Sequence, residues 1–279
     1  MKSNRKMKIS LVVMLLLFIF GWWYIFAVDQ ASISDIFTER NIDFTRGFIR
    51  NLLGIDNDQP TFLQADAWRE ALMRTWDTIV MSILAVVMAM AGVIIFSFPA
   101  VRRVSTAEDQ KPGRLIRILD AAVTVLFTLT RAVPELLWAI LLIFIMQPGL
   151  LTGALALAIN HFGILGKITT EQIENLDNRS FRNLKTTGAS GSQVLIYGVI
   201  PSIMPKFLGS VFYRWEEIIR ASVVVGFVGT GGLGQALQMS MAWRQFTTVF
   251  LYLICYILAV NIIDFISAYA KRFIQNRRK

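Results

Sequence analysis

The sequence contains very few of the residues that build metal centres and disulfide frameworks. Its 279 residues include a single cysteine, Cys255, and a single histidine, His161. An intrachain disulfide is therefore excluded, as is a Cys-x-x-Cys metal knuckle, and a Ser-His-Asp triad would have to use that one histidine. We expect neither a metal site nor catalytic residues in this chain.

Charged residues are also scarce, at 17% of the chain against 55% hydrophobic residues, and the mean hydropathy is +0.55. A soluble domain is nearer half apolar and a quarter charged. The excess lies in long runs without any charged side chain, such as 9–28, 78–101 and 136–166. Because a membrane-spanning helix needs about 20 mostly apolar residues, the sequence predicts an all-α polytopic membrane protein.

The long apolar runs predict about six membrane spans. The run 136–166 is too long for one span, and its Pro148-Gly149 pair is a strong turn signal that divides it. The first run exceeds the usual 7–15 or so apolar residues of a cleaved signal peptide, so we expect it to be retained as an anchor. The predicted spans are 9–28, 78–101, 121–146, 150–166, 200–228 and 246–270.

The distribution of lysine and arginine predicts which side of the membrane each loop occupies. Basic residues are concentrated at the N-terminus, after the second span, after the fourth span and in the tail. With six spans, all four clusters lie on one side, which the positive-inside rule makes the cytoplasm. We therefore expect cytoplasmic termini in a bacterial inner (cell) membrane, and the net charge of +9 needs no nucleic acid as a partner. The expected segments are 1–28 (cytoplasmic start and anchor), 29–74 (acid-rich outer loop), 75–270 (membrane domain) and 271–279 (basic tail).

The inner loop at about 171–201 has a pattern of its own. Ser180 can cap a short helix on which Phe181, Leu184 and Lys185 share one face. The run Thr187-Gly188-Ala189-Ser190 should break that helix, and Pro201 should mark entry into the fifth span. A solvated connector and a docking element for a cytoplasmic partner both fit this pattern.

Several stretches, in order along about residues 75–270, give the chain a family resemblance. The spacing from Gly188 to Pro201 resembles the EAA loop of binding-protein-dependent ABC import permeases, although Arg182-Asn183-Leu184 replaces the family's opening acid-alanine-alanine. Stretches similar to the phosphonate-importer permeases are 131–139, 161–167, 187–190, 213–221 and 226–234.

The resemblance implies a type I (MetI-like) ABC importer permease core with one extra N-terminal helix. It implies four kinds of partner: a second permease subunit (identical or a paralogue), two cytoplasmic ABC ATPase subunits, an extracytoplasmic solute-binding protein and the surrounding membrane lipid. The implied cargo is phosphonate, with phosphate or phosphite as alternatives. The residues implied for the ATPase-coupling loop are Phe181, Leu184, Lys185, Thr187, Gly188, Ala189, Ser190 and Pro201.

The sequence argues against two other classes of protein. It has no G-x-x-x-x-G-K-[ST] motif, the P-loop that binds ATP. ATP–Mg would therefore be bound by the partner ATPase. We expect this chain to need no cofactor and to be no enzyme. A membrane enzyme acting on lipid phosphates would need a catalytic constellation that one histidine and one cysteine hardly supply. A membrane scaffold or sensor would not explain charges inside the fifth span.

Those charges are the first group of candidate path residues: Arg214, Glu216, Glu217 and Arg220. Arg214 lies about 20 Å along a helix from Pro201, well into the bilayer. Such charges usually face a bundle interior or a water-filled route. The spacing predicts the pairs Arg214–Glu217 and Glu216–Arg220. They could form a structural lattice, or an arginine could guide a phosphorus oxyanion, and the two roles are compatible.

The remaining candidates flank a proline or belong to a glycine-rich turn. Arg131 and Glu135 surround Pro134 and could be either ordinary helix-end residues or a gating pair. Gly229, Gly231 and Gly234 satisfy G-x-G-x-x-G, but an apolar helix-length run precedes them where a nucleotide site needs a strand. The family resemblance implies instead that Gly229, Gly231, Gly232 and Gly234 form irregular backbone near the translocation path. In the sixth span, Asn261 and Asp264 suggest a buried polar contact.

Overall fold

The computed structural model describes residues 2–28, 37–55, 57–97, 113–176, 184 and 187–276, and the regular structure within these ranges is helical. The chain divides into two compact units, Met1–Asp58 and Gln59–Lys279. The helices are α1 Lys2–Ala27, α2 Glu39–Leu52, α3 Ala65–Phe96, α4 Arg114–Ala132, α5 Glu135–Ile145, α6 Leu150–Glu174, α7 Gly191–Gln193, α8 Ile200–Val225, α9 Gly232–Ala242 and α10 Phe246–Asn276. A 3₁₀ turn covers Thr61–Leu63, and π-helical turns cover Val194–Val199 and Gly226–Thr230.

The first unit contains an apolar helix and an amphipathic one. Residues Met7–Ala27 of α1 are long and apolar enough to cross a membrane, and their side chains are exposed. Helix α2 carries charged residues on one face and apolar residues, including Ile42, Phe48 and Ile49, on the other. The segment 29–74, expected as an outer loop, therefore contains helix α2, and helix α3 already begins within it.

The described part of the chain has five helices that are long and apolar enough to span a membrane, or six if the α4–α5 pair is one span. The chain is thus an all-helical, multi-pass membrane protein. The axis bends by 93° between α4 and α5, so the predicted third span, 121–146, is a bent pair of helices that begins earlier, at Arg114. Pro134 causes the break, because the residue before a proline is forced out of the helical region and Val133 is extended (φ −94°, ψ 122°).

Other helices extend beyond the predicted spans. Helix α3 begins at Ala65 instead of Thr78, and its 32 residues correspond to about 48 Å, well over the 30 Å or so of bilayer hydrocarbon. Helix α6 continues past Gly166 to Glu174, with Lys167 and Glu171 paired one turn apart at 3.4 Å. Charged helix ends can therefore continue into water without interrupting the helix.

Helix α6 forms the centre of the second unit and is the most buried of the long apolar helices. Its small residues let neighbouring helices approach closely. A Cβ added at Gly163 would lie 2.6 Å from the carbonyl oxygen of Phe127, so α4 packs backbone-close on α6. The core around it also includes Met81, Leu157 and Ile218 from three different helices.

Candidate functional site

The predicted helix break at 187–190 is present. The Ala189 N–H donates to the Leu184 carbonyl oxygen at 3.2 Å, and Gly188 between them has φ +84°. A 6→1 hydrogen bond around a left-handed glycine is the Schellman ending of a helix. Phe181 and Lys185, predicted on the same helix, lie outside the described residues.

A new helix starts immediately after this turn, and Ser190 caps it. The Ser190 N–H donates to Gln193 Oε1 at 2.8 Å, and the Gln193 N–H donates to Ser190 Oγ at 3.4 Å. This reciprocal pair is a capping box. Leu184 and Ala189 pack against the core, whereas Thr187 and Gly188 are exposed. The turn is thus anchored to the membrane domain and presents its tip outward.

The α-helix of the fifth span begins at Ile200 with Pro201 in its first turn, as predicted, and it directly continues the helical run that begins at Gly191. A proline lacks the N–H that an α-helix would bond to the carbonyl four residues earlier, and its ring crowds that carbonyl. The π-helical turn Val194–Val199 lies just before Pro201. The wider turn accommodates the proline within a continuous helix.

The charges of α8 form one of the two predicted pairs. Arg214 and Glu217 are hydrogen-bonded to each other, as their spacing predicts. The predicted Glu216–Arg220 pair is wrong. Lys271 donates to Glu216 Oε1 at 2.7 Å, and Arg220 donates to both carboxylate oxygens of Asp264 at 2.9 and 3.0 Å.

Both unpredicted pairs link α8 to α10, which runs alongside it. Lys271 had been assigned to the basic tail, and Asp264 to a buried contact with Asn261. Asn261 instead donates to its own helix at the Ile257 carbonyl oxygen, and both side chains are at least partly exposed. The sequence did contain a signal for these pairs. An acid precedes a base on both helices, as Glu216 and Arg220 on α8 and as Asp264 and Lys271 on α10. Because the two helices are antiparallel, each acid then faces a base.

The two interhelical pairs differ in their exposure. The side chains of Glu216 and Lys271 are 12% and 29% exposed, whereas those of Arg220 and Asp264 are 46% and 42% exposed. Arg220 therefore presents a guanidinium at the surface of this subunit, and a single nitrogen of it, Nη2, donates to both carboxylate oxygens of Asp264. The planar guanidinium can bind a carboxylate or a phosphate-like oxyanion.

Arg131 and Glu135 are not brought together. Arg131 is exposed in the last turn of α4, and Glu135 is half-buried in the first turn of α5. Within the described ranges neither residue forms an ion pair. Each charge has the sign that stabilises the helix end where it lies, which favours the interpretation as ordinary helix-end residues.

The glycine-rich turn connects α8 to α9 through irregular backbone. Gly229, Gly231 and Gly232 have φ of +96°, +101° and +66°. The Leu233 N–H donates to Thr78 Oγ1 at 2.8 Å, so α3 satisfies one of the backbone groups freed by the turn. The run follows helix α8 and not a strand, which contradicts a dinucleotide site. Irregular backbone at membrane depth is tolerated when it is buried in protein in this way.

Comparison with known proteins identifies a family and close relatives. The family described as "Binding-protein-dependent transport system inner membrane component" matches residues 113–277. The phosphite transport system permease protein PtxC of Stutzerimonas stutzeri is 32% identical over 213 residues, which are 76% of this chain and 73% of the relative. The putative cryptic phosphonate transport system permease protein PhnE2 of Escherichia coli K12 is 34% identical over 113 residues, 40% of this chain and 93% of the relative.

Among solved structures, the chain is similar to the inward-facing MetNI methionine ABC transporter. The TM-score is 0.59 at 16% sequence identity, and the match covers 76% of this chain and 99% of that chain. At this identity the likeness concerns the fold alone, which is that of an ABC importer's membrane subunit.

Proposed function

This chain belongs to the family of binding-protein-dependent transport system inner membrane components, and from that premise we propose that it forms the path by which an ATP-driven importer carries phosphonate or a related phosphorus oxyanion. It is a transport component and not an enzyme. Its relatives are named as phosphite and phosphonate transport system permease proteins, which supports this class of cargo. Phosphate and phosphite are the alternatives to phosphonate.

The observation that carries the proposal is the position of Arg220. A half-exposed ion pair between two membrane helices is costly if it faces lipid, so such charges usually face a water-filled route or another subunit. Arg220 and Asp264 are in this position on α8 and α10. The guanidinium fork matches the oxygens of a phosphorus oxyanion. Asp264 supplies a competing partner, which lets a bound oxyanion leave again.

The assembly we propose follows the family. Two permease subunits, identical or paralogous, would enclose the path, with two cytoplasmic ATPase subunits below and a solute-binding protein outside. The ATPases would bind ATP–Mg and push on the turn at 184–190, whose anchoring to the core supports its use as a lever. The helices would then alternate between inward-facing and outward-facing states.

The proposed sidedness places both termini and this turn in the cytoplasm of a bacterial cell, with the permease in the inner membrane. It rests on the lysine and arginine bias of the loops. The basic segment after α10 and the turn before α8 lie at the same ends of neighbouring antiparallel helices, which supports a common side for both.

The experiment that tests the path replaces Arg220 in the complete transporter. We expect Arg220→Ala to lower uptake of labelled phosphonate and phosphite by about tenfold or more, since a charge-assisted hydrogen bond contributes about 1.5–3 kcal/mol. Arg220→Lys should retain part of the uptake, because it keeps the charge but not the fork. Co-purification of the ATPase should not change in either variant.

The Asp264→Asn variant distinguishes a cargo-binding role of Arg220 from a role in helix packing alone. If Arg220 binds cargo, this variant leaves the guanidinium in place and should impair uptake less than Arg220→Ala. Equal losses in both variants would assign the pair to helix packing alone. Normal uptake by Arg220→Ala would refute the proposed path.

A further inference from the structure

A cavity lined by basic side chains lies between α6, α8 and α10, below the Arg220–Asp264 pair. Its volume is about 480 Å³, and its polar lining comes from Lys206, Ser210, Tyr213, Arg214 and Lys271. Lys206 is about 9 Å from the start of α8, and Lys271 is about 8 Å from the end of α10. The two lysines of the cavity therefore lie within two turns of the helix ends, where membrane helices meet lipid head groups.

The positive charge of the cavity is only partly compensated. Arg214 is paired with Glu217, and Lys271 is paired with Glu216. Lys206 is exposed, and across the ranges that the structure describes it forms no ion pair. Three cations and two carboxylates leave one positive charge for a ligand.

The hydrogen-bonding groups of the cavity are also incompletely used. Arg214 Nε is buried and has no hydrogen-bond partner within the described structure. The Tyr213 ring lies 5.0 Å from the Arg214 guanidinium and 6.0 Å from Lys271 Nζ, so it holds two cations in place by cation–π contact. A free donor and an uncompensated cation between fixed cations are suited to an oxygen-rich anion.

We propose that this cavity binds a tetrahedral phosphorus oxyanion, supplied either by the head group of an anionic phospholipid or by a free phosphate-class anion. Basic cavities between membrane helices on the cytoplasmic side are a known way to bind anionic lipid head groups. A phosphodiester carries one negative charge, which matches the excess charge of the cavity. The phospholipid alternative is independent of the proposed transport function, whereas the free-anion alternative rests on it.

The test uses the permease purified with its ATPase partner, and it has one arm for each source. In discs of phosphatidylcholine and phosphatidylglycerol, native mass spectrometry counts the phosphatidylglycerol retained after exchange into detergent. In discs of phosphatidylcholine alone, labelled inorganic phosphate measures binding of the free anion. Retention that excess phosphate does not displace identifies the head group, and phosphate binding without anionic lipid identifies the free anion.

Lys206→Gln is the test variant, because removing the lysine charge leaves no carboxylate without its ion-pair partner. We expect it to weaken the binding seen in the positive arm about tenfold. Arg272→Gln is the matched control, since it removes one positive charge next to Lys271 from an exposed position that does not line the cavity, and it should bind like the wild type. The proposal is overturned if neither arm shows binding, or if both variants lose it equally.

These outcomes differ from a failure of the proposed transport function. Loss of uptake in Arg220→Ala is measured by transport, whereas the occupancy of the cavity is measured by binding without turnover. Retained phosphatidylglycerol in a complex that carries none of phosphonate, phosphite and phosphate would refute the transport proposal and leave the cavity proposal intact.

Discussion

A close backbone contact between α8 and α9 involves two glycines, Gly226 and Gly234. A Cβ added at Gly234 would lie 2.1 Å from the carbonyl oxygen of Val223 and 2.7 Å from the Cα of Gly226. Helices α8 and α9 therefore touch backbone to backbone, directly after the turn that contains Gly229 and Gly231. Small residues at such crossings replace the hydrophobic driving force that lipid does not provide.

We expect Gly234→Ala to destabilise the membrane domain. The new methyl group meets backbone atoms that cannot rotate away, and overpacking of this kind costs about 1–3 kcal/mol or more. The thermal midpoint of the detergent-solubilised protein, followed by size-exclusion chromatography after heating, should fall. Gly209→Ala is the control, because no atom lies within 4 Å of its added Cβ and alanine favours a helix. A Gly234→Ala midpoint equal to that of the control would contradict the close crossing.

Single residues also explain why the charged pairs of α8 were only half predicted. The spacing of three residues between Arg214 and Glu217 is local, so the sequence was sufficient to pair them. The partners of Glu216 and Arg220 are more than forty residues away on α10. Which acid meets which base then depends on the packing angle of two helices, and that angle is set by contacts along their whole length.

The turn between Leu184 and α7 depends on the left-handed backbone conformation of one residue, Gly188. Gly188 has φ +84°, and no atom lies within 4 Å of a Cβ added there. A substitution would thus act through backbone strain and not through a clash. Asparagine tolerates this region, whereas a β-branched residue does not.

We predict that Gly188→Val weakens co-purification of the ATPase subunits, while Gly188→Asn largely preserves it. The valine would shift the turn and misalign the surface that we propose for docking. Both variants should insert into the membrane to the same extent, which is checked by quantitative blotting of membrane fractions. The docking proposal fails if the valine variant retains its ATPase partner at the wild-type ratio.

At the level of helices, the sequence predicted which segments are apolar more accurately than where helices end. Mostly apolar runs located all the long membrane helices, because the cost of charge in lipid is strong and local. Helix α3 nevertheless starts thirteen residues before Thr78, since a helix leaving the membrane can continue in water. The 93° bend at Pro134 was equally unforeseen, because a proline predicts a break but not the angle that packing selects.

Across the whole molecule, an even number of crossings is needed for both termini to lie on one side. The five long apolar helices give an odd number, and the bent pair α4–α5 supplies the sixth crossing if it traverses the membrane as one unit. The positive-inside pattern requires that sixth crossing, because the basic residues at the start of α1 and the basic segment after α10 would otherwise lie on opposite sides.

Cysteine labelling tests the orientation of α8 and α10 that this topology requires, and the single native cysteine makes the protein suitable for it. Cys255 is buried, so an impermeant maleimide should leave the wild-type protein unlabelled. Trp243, 74% exposed between α9 and α10, lies at the opposite end of α10 from Lys271. Trp243→Cys should therefore react in intact spheroplasts.

Thr187→Cys provides the matching inner position, since Thr187 is exposed on the turn before α7. We expect it to react only in inside-out vesicles stripped of the ATPase. Reaction of Thr187→Cys in intact spheroplasts would place the proposed coupling turn outside the cell, where no ATP-driven subunit could reach it. The two labels together fix the orientation of α8 and α10, and with it the side of the membrane on which the proposed coupling turn lies.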